Sequence, residues 1–239
     1  MAGRTKKWFA RTRLAVVVLA ALSAVACSPQ SKAPPRTIAH RILDLEATLP
    51  DVEPDYAFLD SLIAQATAKI RRQDAYTSAQ AVAVLETIEA VLVENNFVHC
   101  SGRDMLSDVL VPAKLTVDDR KAVENFHPPE DLEALIGRLH AAEEGVFYPS
   151  VAQRERVLAN PDGEYRLTGS LYKARLYLAF AEAVGLPLCE VRVPNTTFVR
   201  CNLGDDRLLW DVLCARVRTE EECIERYDIR RESMEKGAY

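Results

Sequence analysis

Residues 167 to 200, LTGSLYKARLYLAFAEAVGLPLCEVRVPNTTFVR, change period in mid-stretch, and that change constrains the fold more than any other feature. Thr168 or Ser170 is suited to cap a helix that runs to about Val184, where Gly185 and Pro187 end it. Beyond the stop the pattern alternates. LCEVRV reads as a strand, PNT as a turn, TFVRCNL as a second strand, GDD as a turn and RLLWDVLCARV as a third. One helix followed by three hairpin-linked strands predicts an α+β core with an antiparallel meander.

The chain before this point has a different texture. TIAHRILDLEATL places Ile38, Ile42, Leu43, Leu45 and Leu49 at helical spacing. Pro54 is suited to the first turn of a second helix, and Thr77 with Gln80 forms a T-x-x-Q capping box opening a third. Short connections predict antiparallel packing of these three helices. Thr116 to Asp119 opens another helix, and EDLEALIGRLHAAEE, ended by Gly145, reads as a further one. Residues 36–160 are therefore expected to be mainly helical and 161–239 to form the α+β core. EECIERYDIRRESMEKGAY at the end reads as a charged helix or tail with a solvated face.

The first 26 residues read as an export signal. Arg4, Lys6, Lys7, Arg11 and Arg13 precede LAVVVLAALSAVA, an apolar run of 13 residues that ends in small side chains. This run is short for the ~20 residues that span a bilayer. Cys27 follows directly, and the arrangement resembles a bacterial lipobox, although Ala24 stands where Leu is usual. Ordinary cleavage at Ala26 and a retained anchor are the alternatives. Lipidation at Cys27, with Ser28 and not Asp after it, implies an outer-membrane anchor facing the periplasm. Residues 27–35, polar and proline-containing, suit a tether.

Removing the five signal cations leaves 25 basic against 35 acidic residues, a formal charge of −10. Such a body is unsuited to nucleic acid, and membrane attachment would come from the lipid alone. Cys100, Cys189, Cys201, Cys214 and Cys223 make an odd set in an oxidising compartment, so one thiol is left over. Four of them fall near the C-terminus, which predicts a stapled sheet. No Cys/His cluster, glycine-rich phosphate loop or HExxH segment is present, so neither metal nor cofactor is expected.

The opening stretch resembles the core signature of the transglutaminase-like superfamily. Its bacterial branch has a papain-like core and reads roughly G-x-C-x-S-x-x-x-L-Y-L-x-x-A-E-x-x-G-L-P, then P-G-H-x-F-V-R. Leu176-Tyr177-Leu178, Ala181-Glu182, Gly185-Leu186-Pro187, Pro194 and Phe198-Val199-Arg200 carry the likeness over about 45 residues. The resemblance implies a nucleophile at the helix start, a base on the next strand and an orienting acid on the strand after. Those roles fall on Ser170, Thr196 and Asp211, and only Asp211 has a competent side chain.

A serine without a base is not activated at neutral pH, and threonine supplies none. Ser170 is therefore expected to be a cap before it is a binding group or a nucleophile. Cys100, beside His99, is the alternative nucleophile; its plainer reading is a small buried residue. His40, His127 and His140 read as surface or loop residues. Tyr172, Tyr177, Phe198 and Trp210 read as core before groove lining. Three functions fit these residues. The first is a catalytically inactive transglutaminase-like lipoprotein that binds a protein or peptide in the periplasm. The second is a cysteine-type peptidase or acyl transferase with displaced residues, and the third is a helical structural adaptor.

Overall fold

The computed structural model describes residues 36–99, 105–124, 151–193 and 196–227, all within one compact unit, Pro34–Tyr239. Eight helices are described: α1 (Ile38–Glu46), α2 (Tyr56–Lys69), α3 (Ser78–Glu94), α4 (Leu106–Leu110), α5 (Val117–Glu124), α6 (Val151–Ala159), α7 (Ser170–Val184) and α8 (Glu220–Tyr227). The strands are β1 (Phe97–His99), β2 (Ala113–Lys114), β3 (Glu164–Thr168), β4 (Leu188–Val193), β5 (Thr196–Leu203), β6 (Asp206–Asp211) and β7 (Arg216–Arg218). The fold is α+β, as the change of period predicts. Cys27, Cys100, Pro194, His127, His140 and the helix expected over EDLEALIGRLHAAEE lie outside the described residues.

Local chemistry sets most helix ends. Thr77 and Gln80 bond reciprocally at the start of α3, and Thr116 with Asp119 does the same before α5. Asp55 caps α2 by accepting the Phe58 N–H at 2.9 Å, so Pro54 precedes the helix instead of occupying its first turn. Gly185 closes α7 with φ +80°, a conformation that costs a residue with a Cβ about 1–2 kcal/mol. A Cβ there would also sit 3.3 Å from Arg72 Nε.

α7 organises the molecule. It is buried nearly all round, as expected of a helix packed on every side. α1, α2 and α3 pack on it, as do β3, β4 and β5. α2 and α3 also pack on each other, while α1 packs mainly on α7. The apolar perimeter of α7 requires these neighbours, since two could not shield it from water. One core cluster joins Leu43, Leu62, Leu85 and Leu92 to Leu176, Tyr177, Phe180, Val199 and Trp210.

Two small sheets flank this helix. In the first, β1 runs parallel to β3, and β2 pairs antiparallel on the other side of β3. β1 and β2 interrupt the segment expected to be helical, since strands of two or three residues are too short to display a period. The second sheet has the order β4-β5-β6-β7, antiparallel throughout. The expected third strand, RLLWDVLCARV, is divided. β6 stops at Asp211, a turn containing Ala215 at φ +51° follows, and β7 returns. Asp211 holds that turn by accepting the Leu213 and Cys214 N–H groups, the local bonding that suits aspartate to turns. Val191, Phe198 and Leu209 form a second cluster with Cys223 of α8.

Cys189 and Cys201 are free thiols, so the predicted staple does not join them. Cys189 pairs with Arg200 and Cys201 with Leu188. That one-residue offset sends the two sulfurs to opposite faces of the sheet. Burial pushes the Cys201 thiol up to about 11, with a smaller contribution from Cys189.

Candidate functional site

The start of α7 is where the resemblance places a nucleophile. Gly169, in extended conformation, is the N-cap and offers no side-chain bond to the helix. Ser170 is therefore the first helical residue, and neither it nor Thr168 is the cap. Its hydroxyl turns outward from the helix and accepts the Thr197 N–H of β5 at 3.2 Å. Thr168 Oγ1 donates to the Gly169 carbonyl at 3.2 Å. Helix start and strand start are thereby joined through position 170.

The other two positions lie on successive strands. Thr196 opens β5, with its Oγ1 buried and lacking a partner among the described residues. Asp211 ends β6 and is 2 % exposed. Its Oδ2 accepts from Arg218 Nε and Nη2, both at 3.1 Å, while its Oδ1 serves the β6–β7 turn. Ser170, Thr196 and Asp211 thus sit on the helix, the next strand and the strand after. Among the described residues no imidazole or carboxylate bonds Ser170 Oγ. Proton abstraction needs hydrogen-bond reach.

Two buried bases near Ser170 are excluded as activators by their own environments. His99, at the end of β1, pairs with Thr168, two residues before Ser170. Burial pushes its imidazole down to about 3, the Lys173 charge adds to this, and Asp211 and the Thr168 backbone oppose it. Burial thus disfavours the imidazolium that proton abstraction would create, which makes His99 a poor general base. Lys173 shares a face of α7 with Ser170, three residues on. Its ammonium reaches Glu89 at 2.9 Å and makes no bond to Ser170. Cys100, the alternative nucleophile, falls outside the described residues, so no dyad with His99 is described.

Lys173, Glu89 and Tyr177 form a buried polar cluster that the sequence reading does not contain. Tyr177 donates to Glu89 Oε2 at 2.7 Å, and its ring lies 6.3 Å from that of Trp210. Burial, then the Glu89 charge, raises the Tyr177 hydroxyl well above its ordinary range. The available signal was one turn of spacing between Lys173 and Tyr177, together with a lone Glu89 on the apolar α3. Tyr172, Phe198 and Trp210 are buried as the core reading expects.

His40 differs from its surface reading: it is 3 % exposed. Its Nδ1 lies 3.0 Å from both the Thr37 backbone N and Thr37 Oγ1, and its Nε2 lies 2.9 Å from Asp60 Oδ1. Hydroxyl, imidazole and carboxylate in line look like a triad. Thr37 is completely buried, however, and the Nδ1 contacts are those of a capping box. Buried in that way, the hydroxyl has no room for an acyl substrate.

Other features of the surface are simpler. Among the described residues, no group of three His, Cys, Asp or Glu is placed to hold a metal ion, and no helix is long and apolar enough to cross a membrane. A polar depression of about 510 Å³ opens at the α2–α3 connection, lined by Arg71, Arg72, Gln73, Asp74 and Gln80. No protein-family model matches the chain, and neither a curated protein nor a solved structure matches it.

Proposed function

We propose that the chain is an outer-membrane-anchored periplasmic lipoprotein whose transglutaminase-like domain is catalytically inactive and acts by binding a protein or peptide. The observation that carries this reading is the bonding of position 170. A nucleophilic hydroxyl must hand its proton to a base, whereas Ser170 Oγ accepts the Thr197 N–H and meets no base among the described residues. Asp211 is engaged by Arg218 and a turn, so the one retained role serves structure. The anchor is inferred from the segment before Cys27.

The test is labelling of the full-length chain in intact envelopes by a fluorophosphonate and by an iodoacetamide probe, beside photo-crosslinking of wild type and Ser170→Ala. An inactive binding module gives no Ser170 adduct and the same crosslinked partners in both forms. Stoichiometric labelling of Ser170, or rapid alkylation of Cys100 with a thiolate-like pH profile, overturns the inactive reading. Palmitate incorporation that survives Cys27→Ala removes the anchor.

A further inference from the structure

We propose that the depression at the α2–α3 connection is a docking site for an acidic peptide segment of the partner, an inference that rests on the binding-module reading above. Its lining carries two arginines adjacent in sequence, Arg71 and Arg72, both exposed. Among the described residues neither has a carboxylate or hydrogen-bond partner. Several other arginines of this acidic chain are held by carboxylates, Arg36 by Asp44, Arg41 by Glu182, Arg120 by Asp162, Arg192 by Glu190 and Arg218 by Asp211, while Arg156 and Arg166 bond backbone carbonyls. Two cations lining one depression offer an incoming carboxylate bidentate bonds.

The setting is rigid. Tyr76 donates to the Val184 carbonyl at 2.8 Å and accepts the Gln73 N–H at 3.3 Å, tying the connection to the end of α7. Arg72 lies against Gly185, at the helix terminus whose dipole favours a cation. Gln80 Nε2 donates to Gln73 Oε1 at 3.3 Å, so two amides stand beside the arginines with further capacity for a peptide backbone.

The lining also selects among anions. About 510 Å³ suits a few residues of extended chain and not a folded surface. Asp74 in the lining opposes a polyanion such as nucleic acid while leaving a single carboxylate tolerable. The site lies at the Gly185 end of α7, roughly 22 Å along the helix from Ser170, taking 1.5 Å per residue. Its occupation is therefore independent of the relict chemistry.

The experiment is a fluorescence-anisotropy titration of the full-length chain, in neutral detergent, with a labelled octapeptide alternating Gly and Glu. The Gly/Gln counterpart and inorganic phosphate serve as competitors. The proposal expects binding of the acidic peptide, weakened about tenfold by Arg71→Gln and further by Arg72→Gln, and strengthened about twofold by Asp74→Asn. Ser170→Ala leaves it unchanged. Because Arg72 touches Gly185, the exposed Arg71→Gln variant with an unaltered thermal melt is the deciding one. No binding, equal binding of the Gln peptide, displacement by phosphate at similar affinity, or indifference to Arg71→Gln each overturns the site. A Ser170 adduct in the labelling test would sink the binding-module reading without moving this titration, so the two failures are distinguishable.

Discussion

Glu89–Lys173 and Asp211–Arg218 are both buried ion pairs, yet they solve different problems. Lys173 lies inside the helical core, with 0 % of its side chain exposed, and its partner comes from a helix 84 residues earlier. Tyr177 completes the set by donating to the same carboxylate. Arg218 and Asp211 are seven residues apart, at the end of β6, where the aspartate also holds the turn and Arg218 reaches toward Glu222 of α8 at 3.8 Å. The first pair joins distant elements through charge. The second shapes a local reversal and uses charge to lock it. The difference shows how a position expected to orient a catalytic base can be kept for a wholly structural reason.

The comparison breaks most readily at Lys173. Lys173→Ala leaves the Glu89 carboxylate buried without its cation, and is expected to destabilise by ~4–5 kcal/mol in chemical denaturation. Replacing Lys173 by Met, Glu89 by Leu and Tyr177 by Phe together should recover most of that loss, since no charge then stays unpaired. If the triple variant is as unstable as the single one, charge burial is not what the cluster is about. At the other pair, Asp211→Asn keeps an acceptor for the turn but loses the charge, so a cost of ~2–3 kcal/mol is expected. An equal loss at both pairs would erase the distinction drawn between them.

His99 gives the comparison a pH axis. Its folded pKa of about 3 lies below the unfolded value of 6.5, so the neutral ring is the native form. Its stabilising contribution is complete above pH 6.5 and is lost as pH falls from there toward 3. About 2 kcal/mol should disappear between pH 7 and pH 5, and His99→Gln should flatten that part of the stability profile. Smaller effects follow at the two ends of α7. Gly185→Ala should cost ~1–2 kcal/mol because of its positive φ, measured by thermal melt. Ser170→Ala, which removes one hydrogen bond to a backbone N–H, should cost ~1 kcal/mol or less.

How much was legible varies by residue. The stop at Gly185, the capping box at Thr77 and Gln80, and the alternation of β4 and β5 depend on neighbours within a few positions, so the sequence displays them. β1 and β2 are too short to display anything. His40 looked solvent-facing because helical periodicity does not reveal that Asp60 closes over it. Ser170, Thr196 and Asp211 were placed on the right succession of elements, but their bonding was not foreseeable. Ser170 meets a backbone N–H 27 residues away, and Asp211 meets an arginine across a turn that the sequence reading ran through as strand.

Visible in the sequence alone are the α+β class, the stop of α7 at Gly185 and an antiparallel meander after it, read as three strands where four form, because left-handed glycine and two-residue periodicity act locally. Only the tertiary structure decided which polar groups were consumed and which were left over. Lys173 lies in the core, Asp211 turns to Arg218, and Arg71 and Arg72 have no counter-ion among the described residues. Charge pairing is a property of distance in space, and a one-dimensional pattern carries no record of which charges will meet.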